Sequence, residues 1–278
     1  MRIALIQMNS DERKDHNLDR AEEMIREAAL SGPNIVALPE CFNFLATERE
    51  TLSIAETIPG PTIDRFSVLS RELGLYLLAG SIAERTSNPD RYRNTSVLIG
   101  PDGTIEASYS KIHLFDISIP GEVTNKESSY VIPGDSTVAV ETSLGTLGLS
   151  ICYDLRFPEL FRVLALEGAR IFFVPSAFSA YTGKDHWEPL LRARAIENQV
   201  YVAAPAQWGW HQGKKCYGNS MVIDPWGTVI ARASDRESVI LADVDLKYLE
   251  EIRLQNQCLV NIRSNVGEIL WKGSDHFL

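Results

Sequence analysis

Apolar positions along this chain switch between two spacings, one of strands and one of helices. Residues 3–8 (IALIQM) are apolar almost throughout and predict a buried strand. Over 15–30 the spacing lengthens, and Leu18, Ala21, Met24, Ile25, Ala28 and Ala29 share one helical face. Ser31-Gly32-Pro33 stops that helix, and residues 34–40 (NIVALPE) predict a second buried strand ending at Glu40. A helix over 62–73 and a strand over 75–84 follow. Residues 94–100 and 104–111 flank Pro101-Asp102-Gly103, a hairpin signal. Residues 112–135, with Pro120-Gly121 and Pro133-Gly134, read as a loop, and strands are expected at 136–141 and 146–151. The second half predicts a helix over 158–168, a strand over 169–177, a helix over 185–198 and a strand over 199–206. Strands 219–224 and 228–234 flank Pro225-Trp226-Gly227, and a strand over 238–245 leads into a helix over 245–254.

This alternation predicts an α/β fold with mixed sheets. The strands are too many for one sheet, so two packed sheets with helices outside are expected. No long linker or repeat divides the chain, which reads as one domain over 1–278. Residues 255–278 lack a clear period and read as a tail wrapping a surface or a neighbour.

Composition narrows the function. The chain is 45% hydrophobic and 23% charged, ordinary for a globular protein with a sizeable core. A net charge of −10 argues against nucleic acid or an anionic membrane surface as partner. The first residues, MRIALIQMNS, lack the features of a signal peptide, and no apolar run reaches the ~20 residues of a membrane span. Cys41, Cys152, Cys216 and Cys258 form no C-x-x-C pair and read as reduced thiols in a cytoplasmic compartment. The five histidines are scattered, without metal-ligand spacing.

Three residues end predicted strands: Glu40, Lys111 and Cys152. Strand ends on one edge of a sheet converge, and α/β folds place their sites there. A thiol attacks only as thiolate, a carboxylate can take its proton, and an ammonium can stabilise an oxyanion. Cys152 stands where a buried strand bends toward a helix opened by Pro158, so the Tyr153 N–H is a natural second oxyanion donor. Each residue alone has a plainer reading: a surface acid, a solvated edge lysine, a buried thiol.

Five segments together resemble the nitrilase, or carbon–nitrogen hydrolase, superfamily. They are PECF (39–42), YSKIHLFD (109–116), SICYDLRFPEL (150–160), HWEPLLRARAIENQVYV (186–202) and YGNSMVIDPWGTVIA (217–231). The resemblance implies a four-layer α–β–β–α sandwich of two mixed sheets with helices outside, assembled as a homodimer or higher homo-oligomer. It implies a Glu40–Lys111–Cys152 triad, with Glu127 orienting the lysine, and needs no metal or organic cofactor. By composition alone, Glu127 is an unremarkable loop acid. Relatives that act on carboxylated substrates place an arginine where Arg156 stands, and its planar guanidinium suits a carboxylate. The plainer reading of Arg156 is an ion pair with Asp154 or Glu159. Phe115, Tyr153, Phe178 and Thr182 are further candidates to line a substrate pocket. Arg192 and Arg194 read as structural, His186 and Trp187 as packing at a helix start, and Cys41 as a small buried thiol.

Within the superfamily the chain is most similar to the branch holding the deaminated-glutathione amidases and the omega-amidases. PECFNFL, AQWG (206–209) and YGNSMVIDPWG resemble the former more closely. The implied substrate is a small amide, deaminated glutathione first. The alternatives are α-ketoglutaramate, an N-carbamoyl amino acid, a nitrile, or a catalytically silent binding module. The stretch NIRSNVGEILWKG (261–273) departs from the family's basic tail.

Overall fold

The computed structural model describes residues 1–121 and 123–263. The departure over 264–273 and most of the expected tail therefore lie outside the described residues.

Two six-stranded mixed sheets form the centre. The first contains β1 (Arg2–Gln7), β2 (Ile35–Ala37), β3 (Tyr76–Arg85), β4 (Tyr92–Ile99) and β5 (Ile105–Ser110). In the second are β8 (Val138–Thr142), β9 (Gly145–Leu149), β10 (Ile171–Phe173), β11 (Tyr201–Ala204), β14 (Met221–Ile223) and β15 (Val229–Arg232). The first sheet is completed by β16 (Ser238–Asp243), which pairs antiparallel with β1 from Arg2↔Asp243 to Gln7↔Ser238. Within each sheet the central strands are parallel: β1, β2 and β3 in one, β9, β10 and β11 in the other.

The period of two along β1 sorts its side chains between layers. Ile3 and Leu5 face the second sheet, while Ala4, Ile6 and Met8 face helices α1 (Lys14–Ala29) and α3 (Pro61–Leu73). Helix α1 contributes Leu18, Ala21, Met24, Ile25 and Ala28 to that contact, the face read from the sequence, and α3 contributes Ile63, Phe66 and Leu69. On the other side, α4 (Pro158–Leu166) packs Leu160, Phe161 and Leu164, and α5 (Ala180–Asn198) packs Trp187 and Leu191, against the second sheet. Each such side chain contributes about 1.5–3 kcal/mol when fully buried. The layers run helix, sheet, sheet, helix, as expected. Helix α6 (Leu246–Gln255) closes the described fold and buries Leu249 and Ile252.

Two hairpins, a 3-10 turn and a short helix were not expected. Residues 112–135 contain a hairpin of β6 (Asp116–Ile119) and β7 (Val123–Lys126), followed by a 3-10 turn, Glu127–Ser129. A second hairpin joins β12 (Trp208–His211) to β13 (Lys214–Tyr217). The short helix α2 (Glu48–Ser53) starts at a capping box, with the Thr47 hydroxyl on the Glu50 N–H and the Glu50 carboxylate on the Thr47 N–H. Helix α5 also begins earlier than residue 185. Gly183 lies within its first turns, where a Cβ would stand 2.5 Å from the Tyr217 ring.

Candidate active site

Glu40, Lys111 and Cys152 meet, but at facing edges of two sheets rather than along one. Glu40 lies three residues past β2 and Lys111 one past β5, so both leave the same end of the first sheet. Cys152 lies three residues past β9 in the second sheet. Only the packing of sheet on sheet brings the thiol to the other two groups.

Glu40 is held by an irregularity in β3. The β3–β4 register shifts between Ala79 and Ile82, leaving Gly80 and Ser81 as a bulge beside the end of β2. The Ser81 hydroxyl accepts the Cys41 N–H at 3.0 Å. Gly80 lies so close that a Cβ there would stand 1.9 Å from the Pro39 carbonyl oxygen. The Glu40 carbonyl accepts from Gln207 Nε2 at 3.0 Å. Glu40 is 4% exposed, and its carboxylate receives three donors: Lys111 Nζ and Asn94 Nδ2 on Oε1, both at 2.9 Å, and the Ala177 N–H on Oε2 at 2.7 Å.

Lys111 is 2% exposed and also reaches Glu127 at 3.0 Å. Burial opposes its charge, but the Glu127 and Glu40 carboxylates outweigh that and hold its pKa well above the ordinary 10.5. Glu127 is thus a buried partner of the lysine, and its Oε2 also accepts the Phe115 N–H at 2.5 Å.

Cys152 takes a left-handed backbone, φ 47°, uncommon for a residue with a side chain. Its N–H donates to the Pro175 carbonyl at 3.0 Å, while the next N–H, of Tyr153, meets no acceptor among the described residues. Burial and the Glu40 charge push the thiol pKa well up, against a smaller opposing pull from Lys111. Both effects favour the thiol over the thiolate, and the Glu40 carboxylate beside it is the candidate base.

Asp154 fixes this bend, a role sequence reasoning missed. It is fully buried and accepts from the Ile151 N–H at 2.8 Å and the Tyr109 hydroxyl at 2.7 Å. It also accepts the His113 N–H at 2.9 Å and faces His113 Nδ1 at 2.8 Å. Tyr109 and His113 flank Lys111, so one carboxylate ties the lysine segment to the nucleophile turn. Arg194 braces that turn from α5, with Nε and Nη2 donating to the Leu155 carbonyl at 3.1 and 2.8 Å.

The remaining candidates cluster around Arg156. Its guanidinium carbon lies 5.6 Å from the Tyr153 ring centre and 5.2 Å from that of Phe178. It pairs with neither Asp154 nor Glu159. Instead Nη1 lies 3.2 Å from Nδ1 of the exposed His186, and Nε is buried without a partner among the described residues. Phe115 packs edge-on to Tyr153 at 5.1 Å. Thr182, 5% exposed, leaves its hydroxyl unpartnered among the described residues. Trp187 is fully buried and donates to the Asn219 carbonyl, as a packing residue should. Arg192 donates to the Gly227 carbonyl. Two thiols lie near the Glu40 charge without an assigned role: Cys41, pushed well up by burial, and Cys216, pushed up to about 12 by burial.

A buried thiol, carboxylate and ammonium at the carboxyl ends of strands is the equipment of an enzyme that attacks through sulfur. The chain belongs to the carbon–nitrogen hydrolase family, which it matches over residues 2–254. It is 44% identical to the human omega-amidase NIT2 over 276 residues, covering 98% of each chain. To the human deaminated glutathione amidase it is 44% identical over 257 residues, covering 90% of this chain and 79% of that one. The solved structure of Saccharomyces cerevisiae Nit3, a member of branch 10 of the nitrilase superfamily, superposes with a TM-score of 0.84. Identity there is 34%, over 92% of this chain and 94% of that chain. The protein is a hydrolase acting on amides.

Proposed function

We propose that the protein hydrolyses a small, carboxylate-bearing amide through an acyl thioester on Cys152. Glu40 takes the thiol proton as sulfur attacks the amide carbonyl carbon, and Lys111, oriented by Glu127, holds the oxyanion with the Tyr153 N–H. The C–N bond then breaks, and Glu40 gives its proton to the departing amine. Water next gives a proton to Glu40 and attacks the thioester, releasing the acid as the proton returns to sulfur.

Arg156 carries the choice of substrate class. A guanidinium stacked on Tyr153 and Phe178 at the nucleophile turn, without a carboxylate of its own among the described residues, fits an anionic group of the substrate. Phe115, Phe178 and Thr182 complete the proposed pocket around it. Deaminated glutathione is the lead substrate, on the likeness of segments 39–45, 206–209 and 217–227 to its amidases. The alternative, α-ketoglutaramate, presents the same oxo acid and amide carbonyl to the site, with ammonia rather than the Cys-Gly dipeptide as leaving group.

The test is a panel of deaminated glutathione, α-ketoglutaramate, an N-carbamoyl amino acid and a simple nitrile. Ammonia is measured throughout, and the Cys-Gly dipeptide for the first. The expected result is turnover of the oxo-acid amides, lost in Cys152→Ala and weakened through KM in Arg156→Met. Preference for the nitrile or the carbamoyl compound overturns the substrate class, and turnover by Cys152→Ala overturns the mechanism. Exposed Val163, Leu166, Tyr181 and Ile196 on α4 and α5 support the further reading that a second copy packs on this helical layer. A monomer in sedimentation equilibrium would refute it.

A further inference from the structure

We infer that Asn94 is a positioning residue for the base, a role that rests on the proposed thioester mechanism. Asn94 belongs to β4, paired with Ala83, and is 5% exposed. It touches both members of the buried ion pair. Its Nδ2 donates to Glu40 Oε1 at 2.9 Å, and its carbonyl accepts the Lys111 N–H at 2.9 Å.

The orientation of its amide is dictated by charge. Turning it over would set Oδ1 against Glu40 Oε1, two acceptors face to face. The amide keeps Nδ2 on the carboxylate although this leaves Oδ1 buried without a partner among the described residues. A buried acceptor left unsatisfied is unfavourable, so the contact is kept against a local cost. The consequence lies in how Glu40 is fixed. Lys111 also serves Glu127, and Ala177 grips only Oε2. Asn94 is the uncharged side-chain donor on Oε1, and without it the carboxylate can swing about the Ala177 N–H away from the thiol. Asn94 acts through Glu40 rather than on the substrate, so its loss lowers kcat and spares KM.

Asn94→Leu, with the same branched side-chain skeleton but no donor, and Asn94→Ala are compared with the parent enzyme. The readouts are kcat and KM on the best amide of the panel, and the rate at which iodoacetamide alkylates Cys152, followed by peptide mass. Both variants are expected to lose about 10- to 100-fold in kcat, the range for a hydrogen bond to a charged group. Cys152 alkylation slows alongside, and KM stays within about twofold. A packing role predicts that Asn94→Leu works and Asn94→Ala does not, and that outcome overturns the inference. So does an unchanged alkylation rate, or a loss confined to KM. Alkylation needs no substrate, so it tests Asn94 even where every amide of the panel fails, which would instead count against the proposed function. Should Asn94→Leu not fold, the alkylation rate of folded Asn94→Ala, isolated by size exclusion, decides between slowed and unchanged.

Discussion

Replacing Gly80 by alanine moves the proposed base without touching it. The added Cβ would stand 1.9 Å from the Pro39 carbonyl oxygen and 2.6 Å from that of Leu38. Real contacts of this kind essentially never fall below 3.0 Å, so the two backbones must part by about 1.1 Å, the difference between 3.0 and 1.9 Å. Both contacts are backbone, and no flexible side chain can give way. Glu40 follows Pro39 directly, and a displacement of ~1 Å at a reacting group costs about 100-fold in rate, or about 2.7 kcal/mol of barrier. Overpacking costs about 1–3 kcal/mol of stability as well, so the assay is kcat per folded enzyme after size exclusion. Gly74→Ala is the control. Its backbone is left-handed, φ +63°, but nothing lies within 4 Å of the new Cβ. It loses about 1–2 kcal/mol of stability and keeps its kcat. A folded Gly80→Ala enzyme with kcat within about threefold of the parent refutes the argument that the β3 bulge sets the position of Glu40.

Asp154→Asn keeps the shape but leaves one acceptor oxygen where several donors converge, so urea unfolding should show a loss of about 3 kcal/mol together with reduced kcat. Stability and rate both at parental values would mean the bend needs no carboxylate. Alkaline pH supplies the last test. Cys152 and Lys111 sit above their ordinary values of 9.0 and 10.5 in the fold. The folded chain therefore keeps protons that the unfolded chain has released, and stability falls as pH rises. The loss should begin near pH 9 with the thiol and steepen near 10.5 with the ammonium, with Cys41, Tyr92 and Tyr109 acting in the same direction. Thermal scans with a flat midpoint across this range would contradict the buried-ion reading of Lys111.

Strong periodicity made the layers readable in the sequence. The α1 face and the parallel strands survive because burial on both faces leaves long apolar signals. The hairpins β6–β7 and β12–β13 were hidden because their residues are half exposed and mixed in character, as in WGWHQGKKCY. For α2 a signal did exist, Thr47 and Glu50 at capping-box spacing, but the helix is six residues long. At the site, residue type and strand ends pointed to Glu40, Lys111 and Cys152, and only the resemblance pointed to Glu127. Local sequence cannot show that Asp154 serves Tyr109 and His113, or that Asn94 reaches Glu40. Both contacts cross more than 40 positions of chain, and any buried polar residue reads alike until its partner is placed.

The pairing of β1 with β16 has a consequence for the order of events in synthesis. β1 lies between β2 and β16, a strand that ends at Asp243, and the Met1 amino group donates to the Val244 carbonyl, 243 positions away. During translation Glu40 and Lys111 emerge well before β16, attached to a sheet in which the outer edge of β1 stays unpaired until Ser238–Asp243 has been made. Such an edge is a template for wrong partners. Over that interval the growing sheet is exposed to aggregation, and it reaches its full width only when β16 returns to β1.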